Sequence, residues 1–492
     1  MALQLDALEL ADHLRDRLVD FAVSDTFAAD PAVRDGLRAL WSSDATARLV
    51  SDIWVEGVYP STPAGVTLAD LVADGGFPAD LARHLDRPSV LPSDRPLYTH
   101  QLAAVQNGRR GSGAAPVTVV SSGTGSGKTE AFLLPVLADL WTNHRTSPRG
   151  MRALILYPMN ALVNDQVDRL NEWLTRQDRL TLFHFTSETP EDYRRANNDG
   201  VPGPFPHRFR TRQQARGLET AAGKPIAPDA REAQPDIVIT NYSMLEYMLS
   251  RPQDAVFFSE QLRHIVVDEA HLYAGTMAAE IMFLLRRVLR RAGVSAEEVS
   301  FYATSATLGG DTDRLRQFMA DLFSRAPGDI HPIPGEPHRR DFGEPAPPAV
   351  APAPEAVTAL PTATLKTIDV GPRGARPELV PLDAEKEPNV RNVLETLVDP
   401  VRVDEAMREA EVATALYAGL WHSPLLARLE EVLWNRKRLP LVNLATELWP
   451  GTEPELATRA SLQLLRLGAL ARSGLTEYPL VPHRLHLVCR TP

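Results

Sequence analysis

Cysteine is almost absent from the sequence, which has one, Cys489, in 492 residues. A single thiol excludes disulfide bonds within the chain and any zinc site built from several of its own cysteines. Because disulfides mark oxidising compartments, we expect a cytoplasmic protein. Two interpretations of Cys489 stay open, a lone buried thiol and the first ligand of a zinc site.

Long apolar runs and a basic excess are also missing. No stretch approaches the roughly 20 apolar residues that span a bilayer, and the N-terminus lacks the basic start of a secretory signal. We therefore expect no membrane partner. The net charge is −11, and only five of the 52 basic residues are lysine. This balance gives no general nucleic-acid signal but leaves room for a local basic groove.

Short apolar runs alternate with amphipathic helical patterns over residues 89–330. Continuous apolar strands separated by helices indicate a parallel sheet covered on both faces. A polar, arginine-rich stretch at 189–234 interrupts the pattern, and we expect a surface loop region there. The candidate strands are Val117–Val120, Ala153–Tyr157, Leu180–Phe185, Ile237–Thr240, His264–Val267 and Val299–Ala303.

The flanking segments have different compositions. Residues 1–88 follow a mixed helical pattern, and residues 390–492 return to helical periodicity, with a weak winged-helix-like signal. Residues 331–389 are rich in proline, which favours a semi-rigid linker over a packed core. We therefore predict an α/β protein with a helical N-terminal region, a parallel-sheet domain at 89–330, a linker and a small helical C-terminal domain.

A glycine-rich stretch follows the first candidate strand and precedes an apolar helix. Alternating glycines let backbone N–H groups surround an anion, and the helix directs its positive end to the same place. Lys128 is placed to reach the β- and γ-phosphates of ATP, and Thr129 to hold Mg²⁺. The strict P-loop pattern has glycine where Ser122 stands, so the match fails by one residue. The predicted nucleotide-binding residues are Ser122, Gly123, Thr124, Gly125, Ser126, Gly127, Lys128 and Thr129.

The candidate strand His264–Val267 ends in two carboxylates, Asp268 and Glu269. Asp268 is suited to hold Mg²⁺ through water, and Glu269 to polarise an attacking water. A strand that ends in Asp-Glu is a weak signal alone. Here it lies downstream of a P-loop in an alternating chain, so the sequence predicts an ATP-hydrolysing site.

Lys128, Thr129, Asp268, Glu269 and His271 together resemble the ATP site of superfamily 2 helicases of the DEAD/DEAH type. The resemblance implies that residues 89–330 form a RecA-like P-loop NTPase domain, the first of two in such motors. It also implies that Asp268, Glu269, His271 and Lys128 form the catalytic set, with ATP and Mg²⁺ as the bound groups.

Further motifs follow the family order. Gln101 is similar to the glutamine that reads the adenine edge. Leu156–Leu162 and Thr240–Tyr242 resemble motifs that touch a nucleic-acid backbone, and Ser305–Thr307 resembles the motif that couples hydrolysis to strand movement. The resemblance assigns nucleic-acid contact or coupling to Pro158, Asn160, Ala161, Thr240, Asn241, Ser305 and Thr307.

A narrower resemblance covers Leu156–Gln166, Thr240–Leu249 and Asp268–Arg291. These stretches are similar to large bacterial DNA helicases of phage-defence systems, such as Druantia and DISARM, and to related repair helicases. The resemblance implies an ATP-dependent DNA helicase or translocase that contacts single-stranded or forked DNA through its backbone, in anti-phage defence. RNA as substrate and a repair role stay open, because no residue here discriminates them.

The sequence contains no Gln-x-x-Gly-Arg-x-x-Arg type motif, which carries the arginine finger of the second RecA-like domain. An arginine finger contributes about 10³–10⁵ in rate, so we expect weak or no hydrolysis by this sequence alone. We expect a protein partner to supply the second domain in trans, with a truncated reading frame as the other explanation. The alternative function is a nucleotide-gated adaptor without turnover, against which the intact Glu269 argues.

Overall fold

The computed structural model describes the chain except for residues 1–6, 27–29, 44–48, 88–89, 112, 124, 144, 147–149, 204, 228–233, 274, 306–311, 340–351, 370–376, 476 and 489–492. The described residues form two compact units, one of residues 61–338 and one of residues 1–60 with 339–492. No described helix combines the length and apolar character needed to cross a bilayer.

The strands are β1 (Trp54–Gly57), β2 (Val117–Ser121), β3 (Ala153–Tyr157), β4 (Leu182–Phe185), β5 (Ile237–Asn241), β6 (His264–Val267), β7 (Ser300–Ser305), β8 (Ile330–Pro334), β9 (Ile368–Asp369), β10 (Glu378–Leu379), β11 (Arg438–Pro440) and β12 (His483–His486). The helices are α1 (Ala7–Asp25), α2 (Pro31–Ser43), α3 (Leu68–Ala73), α4 (Ala79–Leu85), α5 (Thr99–Asn107), α6 (Lys128–Thr142), α7 (Asn160–Leu174), α8 (Tyr193–Asn198), α9 (Arg212–Ala215), α10 (Tyr242–Ser250), α11 (Thr276–Ala292), α12 (Thr312–Phe323), α13 (Pro354–Thr358), α14 (Glu387–Leu397), α15 (Pro400–Ala406), α16 (Val412–Leu420), α17 (Pro424–Arg436), α18 (Leu441–Leu448) and α19 (Pro454–Leu470).

A parallel sheet of seven strands, in the order β4-β5-β3-β6-β7-β2-β8, forms the centre of unit 61–338. Strands β3, β6 and β7 are buried along their whole length, as expected when helices cover both faces of a parallel sheet. The predicted α/β fold with a parallel sheet is confirmed. All six candidate strands are present, with ends that differ from the prediction by two residues at most.

Helix α11 shows how the covering helices are held. It begins after Gly275 and ends at Gly293, whose φ of 78° lies in the left-handed region that glycine favours at a helix end. The residues that recur at helical spacing face the sheet and are buried, and they are Ile281, Leu284, Leu285, Val288 and Leu289. The sequence period therefore fixes which side of the helix packs.

Strand β8 lies where the proline-rich linker was expected to begin. Ile330–Pro334 pairs in parallel with β2 at the edge of the sheet, and the N–H of the next residue, Gly335, donates to Ser121 O at 2.6 Å. Because alternate residues of a strand face opposite neighbours, Pro332 and Pro334 occupy positions that point to the open edge. A missing N–H costs no ladder hydrogen bond there. The first residues of the predicted linker, 331–334, therefore belong to the edge strand of the sheet.

Unit 1–60 with 339–492 is mainly helical and contains its own apolar core. Strand β1 is the middle strand of an antiparallel sheet in the order β11-β1-β12, so the region expected to be helical also supplies a strand. Val357, Leu360 and Leu365, in the predicted linker, are buried in the core. From α17 onward the order is helix, strand, helix, helix, strand. The winged-helix-like arrangement and the division into four segments stay predictions.

The arginine-rich stretch at 189–234 is not the surface loop region that its composition predicts. Arg216 has 1% side-chain exposure, its Nε lies 2.6 Å from Asp254 Oδ1, and its Nη1 contacts Glu191. A guanidinium is tolerated in such a position because two of its nitrogens, Nε and Nη1, face carboxylates. Polar composition therefore does not establish exposure in this part of the chain.

Candidate functional site

The glycine-rich loop lies at the carboxyl edge of the sheet, between β2 and α6. Gly125 and Gly127 have φ of 78° and 80°, in the left-handed region that favours glycine. A Cβ on Gly127 would also overlap Gln101 Nε2. Gly127 is the N-cap of α6, so the positive end of a 15-residue helix meets the loop. Thr124 lies outside the described residues.

Two serines inside the loop are buried and bonded to each other. Ser122 Oγ and Ser126 Oγ are 2.6 Å apart, and Ser126 Oγ donates to Gly123 O at 2.7 Å. Because Ser126 has used its only hydrogen, Ser122 is the donor between the two. The residue that departs from the strict P-loop pattern thus provides a hydrogen bond that stabilises the loop.

Lys128 faces the acidic end of β6. It is 7% exposed, and its Nζ lies 3.4 Å from Glu269 Oε1. Glu269 Oε2 lies 3.3 Å from His271 Nδ1, but neither of these two atoms has a hydrogen-bond partner among the described residues. Charge-assisted hydrogen bonds are normally about 2.7–2.9 Å long. Three of the predicted catalytic side chains therefore lie together, and their contacts are longer than charge-assisted hydrogen bonds.

Asp268, the fourth predicted catalytic residue, is hydrogen-bonded to the neighbouring strand β7. Thr304 Oγ1 donates to Asp268 Oδ1, and the N–H of Glu269 lies 3.1 Å from both Thr304 Oγ1 and Asp268 Oδ1. Burial raises the pKa of Asp268, and the adjacent Glu269 carboxylate raises it further. An ionised Asp268 therefore costs free energy in this structure, and a cation beside it would offset that cost.

The backbone at Glu269 is left-handed, with φ of 49° and ψ of 45°. Few residues other than glycine adopt this region, and those that do cluster at functional sites. The turn follows β6 and leads into a short 3-10 turn, Ala270–Leu272. It separates the two adjacent carboxylates, so that Asp268 bonds to β7 while Glu269 pairs with the lysine of the loop.

These residues fit a magnesium nucleotide. The buried ammonium of Lys128 and the N-terminal end of α6 suit phosphate oxygens, and the destabilised carboxylate of Asp268 suits a divalent cation. Thr129, half-buried in the first turn of α6, is the other predicted Mg²⁺ ligand. Glu269 Oε2 is a buried acceptor without a hydrogen bond, as a group that orients water requires. Nowhere in the described ranges do three or more His, Cys, Asp or Glu side chains form a separate metal cluster.

Gln101 has both ends of its amide bound to the protein. Its Oε1 accepts from the N–H of Tyr98 at 2.9 Å, and its Nε2 donates to Gly127 O at 3.1 Å. The side chain therefore joins the start of α5 to the glycine-rich loop. The amide keeps one further donor and one further acceptor, and the adenine-reading role stays a prediction.

A second polar cluster lies where β3 and β5 end. Asn241 Nδ2 donates to Asn160 Oδ1 at 2.5 Å, and Asn160 Nδ2 donates to Ser187 Oγ at 3.2 Å. Asn241 Oδ1 caps α10 by accepting from the N–H of Met244 at 2.8 Å. Helices α7 and α10 both begin here, so their N-terminal N–H groups lie at this edge, where they favour phosphate.

The other predicted contact residues beside this cluster are placed differently. Thr240 is fully buried, and its hydroxyl donates to Phe185 O at 2.6 Å, so the structure does not bring that hydroxyl to the surface. Pro158 is half-buried in the turn before α7, and Ala161 lies in the first turn of that helix. Of the predicted backbone contacts, the two asparagines are those that the structure brings together.

The predicted coupling motif follows β7. Ser305 is fully buried, and its carbonyl accepts from the N–H of Ser122 at 3.1 Å, which links the motif directly to the glycine-rich loop. Thr307 lies outside the described residues. Sequence reasoning missed Thr304, which bonds to Asp268. The signal was the strand alignment, because β6 and β7 pair in register and their next residues lie side by side. Sequence reasoning also missed Ser187, whose hydroxyl accepts a hydrogen bond from Asn160.

The protein-family model described as DEAD/DEAH box helicase matches residues 98–202 and 207–315. The chain is 28% identical over 478 residues to Druantia protein DruE of Escherichia coli (strain UMEA 4076-1), covering 80% of this chain and 25% of that protein. It is 32% identical over 213 residues to the uncharacterized ATP-dependent helicase YprA of Bacillus subtilis (strain 168), covering 43% of this chain and 23% of that protein. The chain thus spans about a quarter of the length of these curated relatives.

Among solved structures, the crystal structure of the DUF1998 helicase MrfA bound to DNA and AMPPNP is similar to this chain. The sequence identity is 20%, the alignment covers 75% of this chain and 46% of that one, and the TM-score is 0.39.

Proposed function

Because residues 98–202 and 207–315 form a DEAD/DEAH box helicase domain, as the motifs predicted, we propose that the chain is the ATP-binding motor half of a DNA helicase or translocase. The convergence of Lys128, Asp268 and Glu269 at one edge of the sheet is the observation that supports ATP hydrolysis. The asparagine cluster at the same edge supports contact with a nucleic-acid backbone. We place this activity in the cytoplasm.

In this proposal the loop N–H groups and Lys128 bind the β- and γ-phosphates, while Thr129 and Asp268 hold Mg²⁺, which neutralises phosphate charge when bound. Lys128 exchanges Glu269 for phosphate, and the 3.4 Å separation of that pair is longer than a charge-assisted hydrogen bond, which favours the exchange. Glu269 is then free to orient a water molecule and accept its proton. His271 Nδ1 lies 3.3 Å from the other oxygen of the same carboxylate.

One strand of DNA is proposed to lie against Asn160 and Asn241 through its phosphates. Amide groups and helix N-terminal N–H groups contact the backbone and carry no base information, so binding is independent of sequence. DNA is proposed over RNA, and anti-phage defence over repair, on the similarity to the Druantia protein DruE. RNA unwinding and DNA repair would use the same residues and are the alternatives.

We also propose that a second RecA-like domain, supplied in trans, completes the site with an arginine. Such an arginine stabilises charge in the transition state and contributes about 10³–10⁵ in rate. Hydrolysis by this chain alone is therefore expected to be slow. A nucleotide-gated adaptor, which binds ATP and DNA without turnover, is the competing proposal.

The test is ATP hydrolysis by the purified chain, with and without single-stranded DNA, and with and without the product of the neighbouring gene. The comparison variants are Glu269→Gln and, as a matched control, Glu246→Gln, whose carboxylate is paired on the surface with Arg287. We expect slow hydrolysis that rises with DNA and partner, is lost in the first variant and is unchanged in the second. Tight ATP binding with no turnover in any mixture would replace the motor with the adaptor.

A further inference from the structure

Gly335 packs against the start of the glycine-rich loop. It lies outside the segment that the helicase family model matches. The N–H of Gly335 continues the ladder of β8 by donating to Ser121 O at 2.6 Å. A Cβ placed on Gly335 would overlap Ser122 Cβ and lie 3.1 Å from its Cα and 3.2 Å from its Oγ. Non-bonded carbon atoms rest at about 3.5–4.0 Å, so this position has no room for a side chain.

Ser122 cannot easily move out of the way, because it is held on its other sides. Its N–H donates to Ser305 O at 3.1 Å, and its hydroxyl donates to Ser126 Oγ at 2.6 Å. Ser126 in turn bonds to Gly123 O. A substitution that displaces the Cβ of Ser122 should therefore also displace the loop that carries the nucleotide-binding N–H groups.

A second segment contacts the loop from the same side. Ser61 Oγ donates to Ser126 O at 3.5 Å, and the N–H of Thr62 donates to Glu336 O at 2.8 Å. Residues 61–62 and 335–336 thus bond to each other, to Ser126 and to Ser121, the residue before Ser122. The supporting residues come from two distant parts of the sequence, and neither part belongs to a nucleotide-binding motif.

From these contacts we infer that Gly335 is a positioning residue for nucleotide binding. A strict P-loop has glycine at position 122 and leaves space beneath the loop. Here a serine fills that space and adds a hydrogen bond inside the loop, which requires that position 335 have no side chain. The two positions therefore form a size-matched pair, and the end of β8 sets the conformation of the loop. This inference rests on the proposed ATP site.

Gly335→Ala is the direct test, because it adds one methyl group at the point of contact. An added methyl group at a packed position forces the neighbouring backbone to shift, and a tenfold loss of affinity corresponds to about 1.4 kcal/mol. We expect the dissociation constant of a fluorescent ADP analogue to rise about tenfold. KM for ATP should rise in parallel, while kcat changes less, because Lys128 and Glu269 are intact.

Ser122→Gly in the Gly335→Ala background removes the overlapping Cβ, and we expect it to recover most of the lost affinity. Gly328→Ala is the matched control, since Gly328 lies just before β8 and a Cβ there meets nothing within 4 Å. It should bind the analogue as the unchanged chain does. Thermal midpoints without nucleotide show whether any variant has simply lost its fold.

Unchanged analogue binding in Gly335→Ala would overturn the inference, and so would a double variant that binds no better than Gly335→Ala. If Gly335→Ala does not fold, the double variant decides alone: recovery of folding and binding supports the size-matched pair, and failure of either overturns it. If the unchanged chain binds no nucleotide, the proposed function itself fails, and that result is distinct from all of these.

Discussion

The two edges of the parallel sheet hold their charges in opposite ways. At the amino edge, Asp139 accepts from Arg263 Nε and Nη2 at 2.7 and 2.8 Å, and it lies 2.7 Å from His264 Nε2. At the carboxyl edge, Lys128 and Glu269 are 3.4 Å apart. The tight pairs join elements of the fold to one another, whereas the long pair lies where a ligand is proposed to bind. Burial of charge alone therefore does not identify the site.

The pKa values of two aspartates show the same contrast. Burial raises the pKa of Asp139, but hydrogen bonds from Arg263 and His264 outweigh it and hold that pKa well below its usual range. Burial also raises the pKa of Asp268, and there the bond from Thr304 does not offset it. A buried carboxylate that is fully paired stabilises the fold, and one that is underpaired is a candidate for a functional site.

The largest expected effect on stability comes from breaking the tight pair. Asp139→Asn removes the negative charge and one of the two acceptor oxygens that the partly buried Arg263 and the fully buried His264 share. Removing one partner of a buried pair costs about 3–5 kcal/mol. For a domain of this size that corresponds to a fall of roughly 6 °C or more in thermal midpoint, which differential scanning fluorimetry will measure.

Glu246→Gln serves as the control for this loss, because Glu246 pairs with Arg287 on the surface, where both side chains are about half exposed. Exposed pairs contribute about 0–1 kcal/mol. Equal shifts in thermal midpoint for the two variants would contradict the assignment of the amino edge as a stabilising network.

The second prediction concerns pH. Because the folded-state pKa of Asp139 is depressed, its stabilisation is fully present above the ordinary carboxyl pKa of about 4. It is lost as the pH falls from there towards the depressed value. The difference in thermal midpoint between the unchanged chain and Asp139→Asn should therefore be constant from pH 7 to about 5 and shrink below about 4. A constant difference down to pH 3 would contradict it, and subtraction cancels the other carboxylates.

The carboxyl edge was predictable from sequence because its signals are local. A glycine-rich loop after an apolar strand, and Asp-Glu at the end of another, each lie within a few residues. The amino edge was not predictable, since Asp139 and Arg263 are 124 positions apart and meet only in the folded chain. Strand β8 was not predicted because its two prolines indicate a linker. Prolines are compatible with a strand mainly at the edge of a sheet, and the sequence alone does not show which strand lies there. The contact of Thr304 with Asp268 could not be predicted either, because it depends on the pairing of β6 with β7.

The third prediction is a rise in thermal midpoint, opposite to the fall expected for Asp139→Asn. In Asp268→Asn the cost of an ionised, buried carboxylate disappears, so the thermal midpoint at pH 7 should rise, by less than Asp139→Asn lowers it. Because the folded-state pKa of Asp268 is raised, this gain exists above that pKa and vanishes as the pH falls below about 4. Scanning fluorimetry at several pH values measures it.

Ligand binding supplies the control for Asp268→Asn. A group that binds only the folded state raises its stability, so Mg²⁺ with a non-hydrolysable ATP analogue should stabilise the unchanged chain more than the variant. A variant that is less stable than the unchanged chain at pH 7 would show that Asp268 is satisfied within the fold, and the contrast between the two edges would fail.

The smallest expected change in stability accompanies a large loss of turnover. In Glu269→Gln the side chain keeps its size, and its contact with Lys128 Nζ, at 3.4 Å, is longer than a charge-assisted hydrogen bond, so the thermal midpoint should move less than in Asp139→Asn. Hydrolysis with DNA and partner present should fall by about 10²–10⁴, the usual contribution of a general base. Analogue binding should be retained. A variant that loses stability and turnover together would mean that Glu269 stabilises the fold as Asp139 does. The 3.4 Å contact between Lys128 and Glu269 would then not indicate a ligand-binding site.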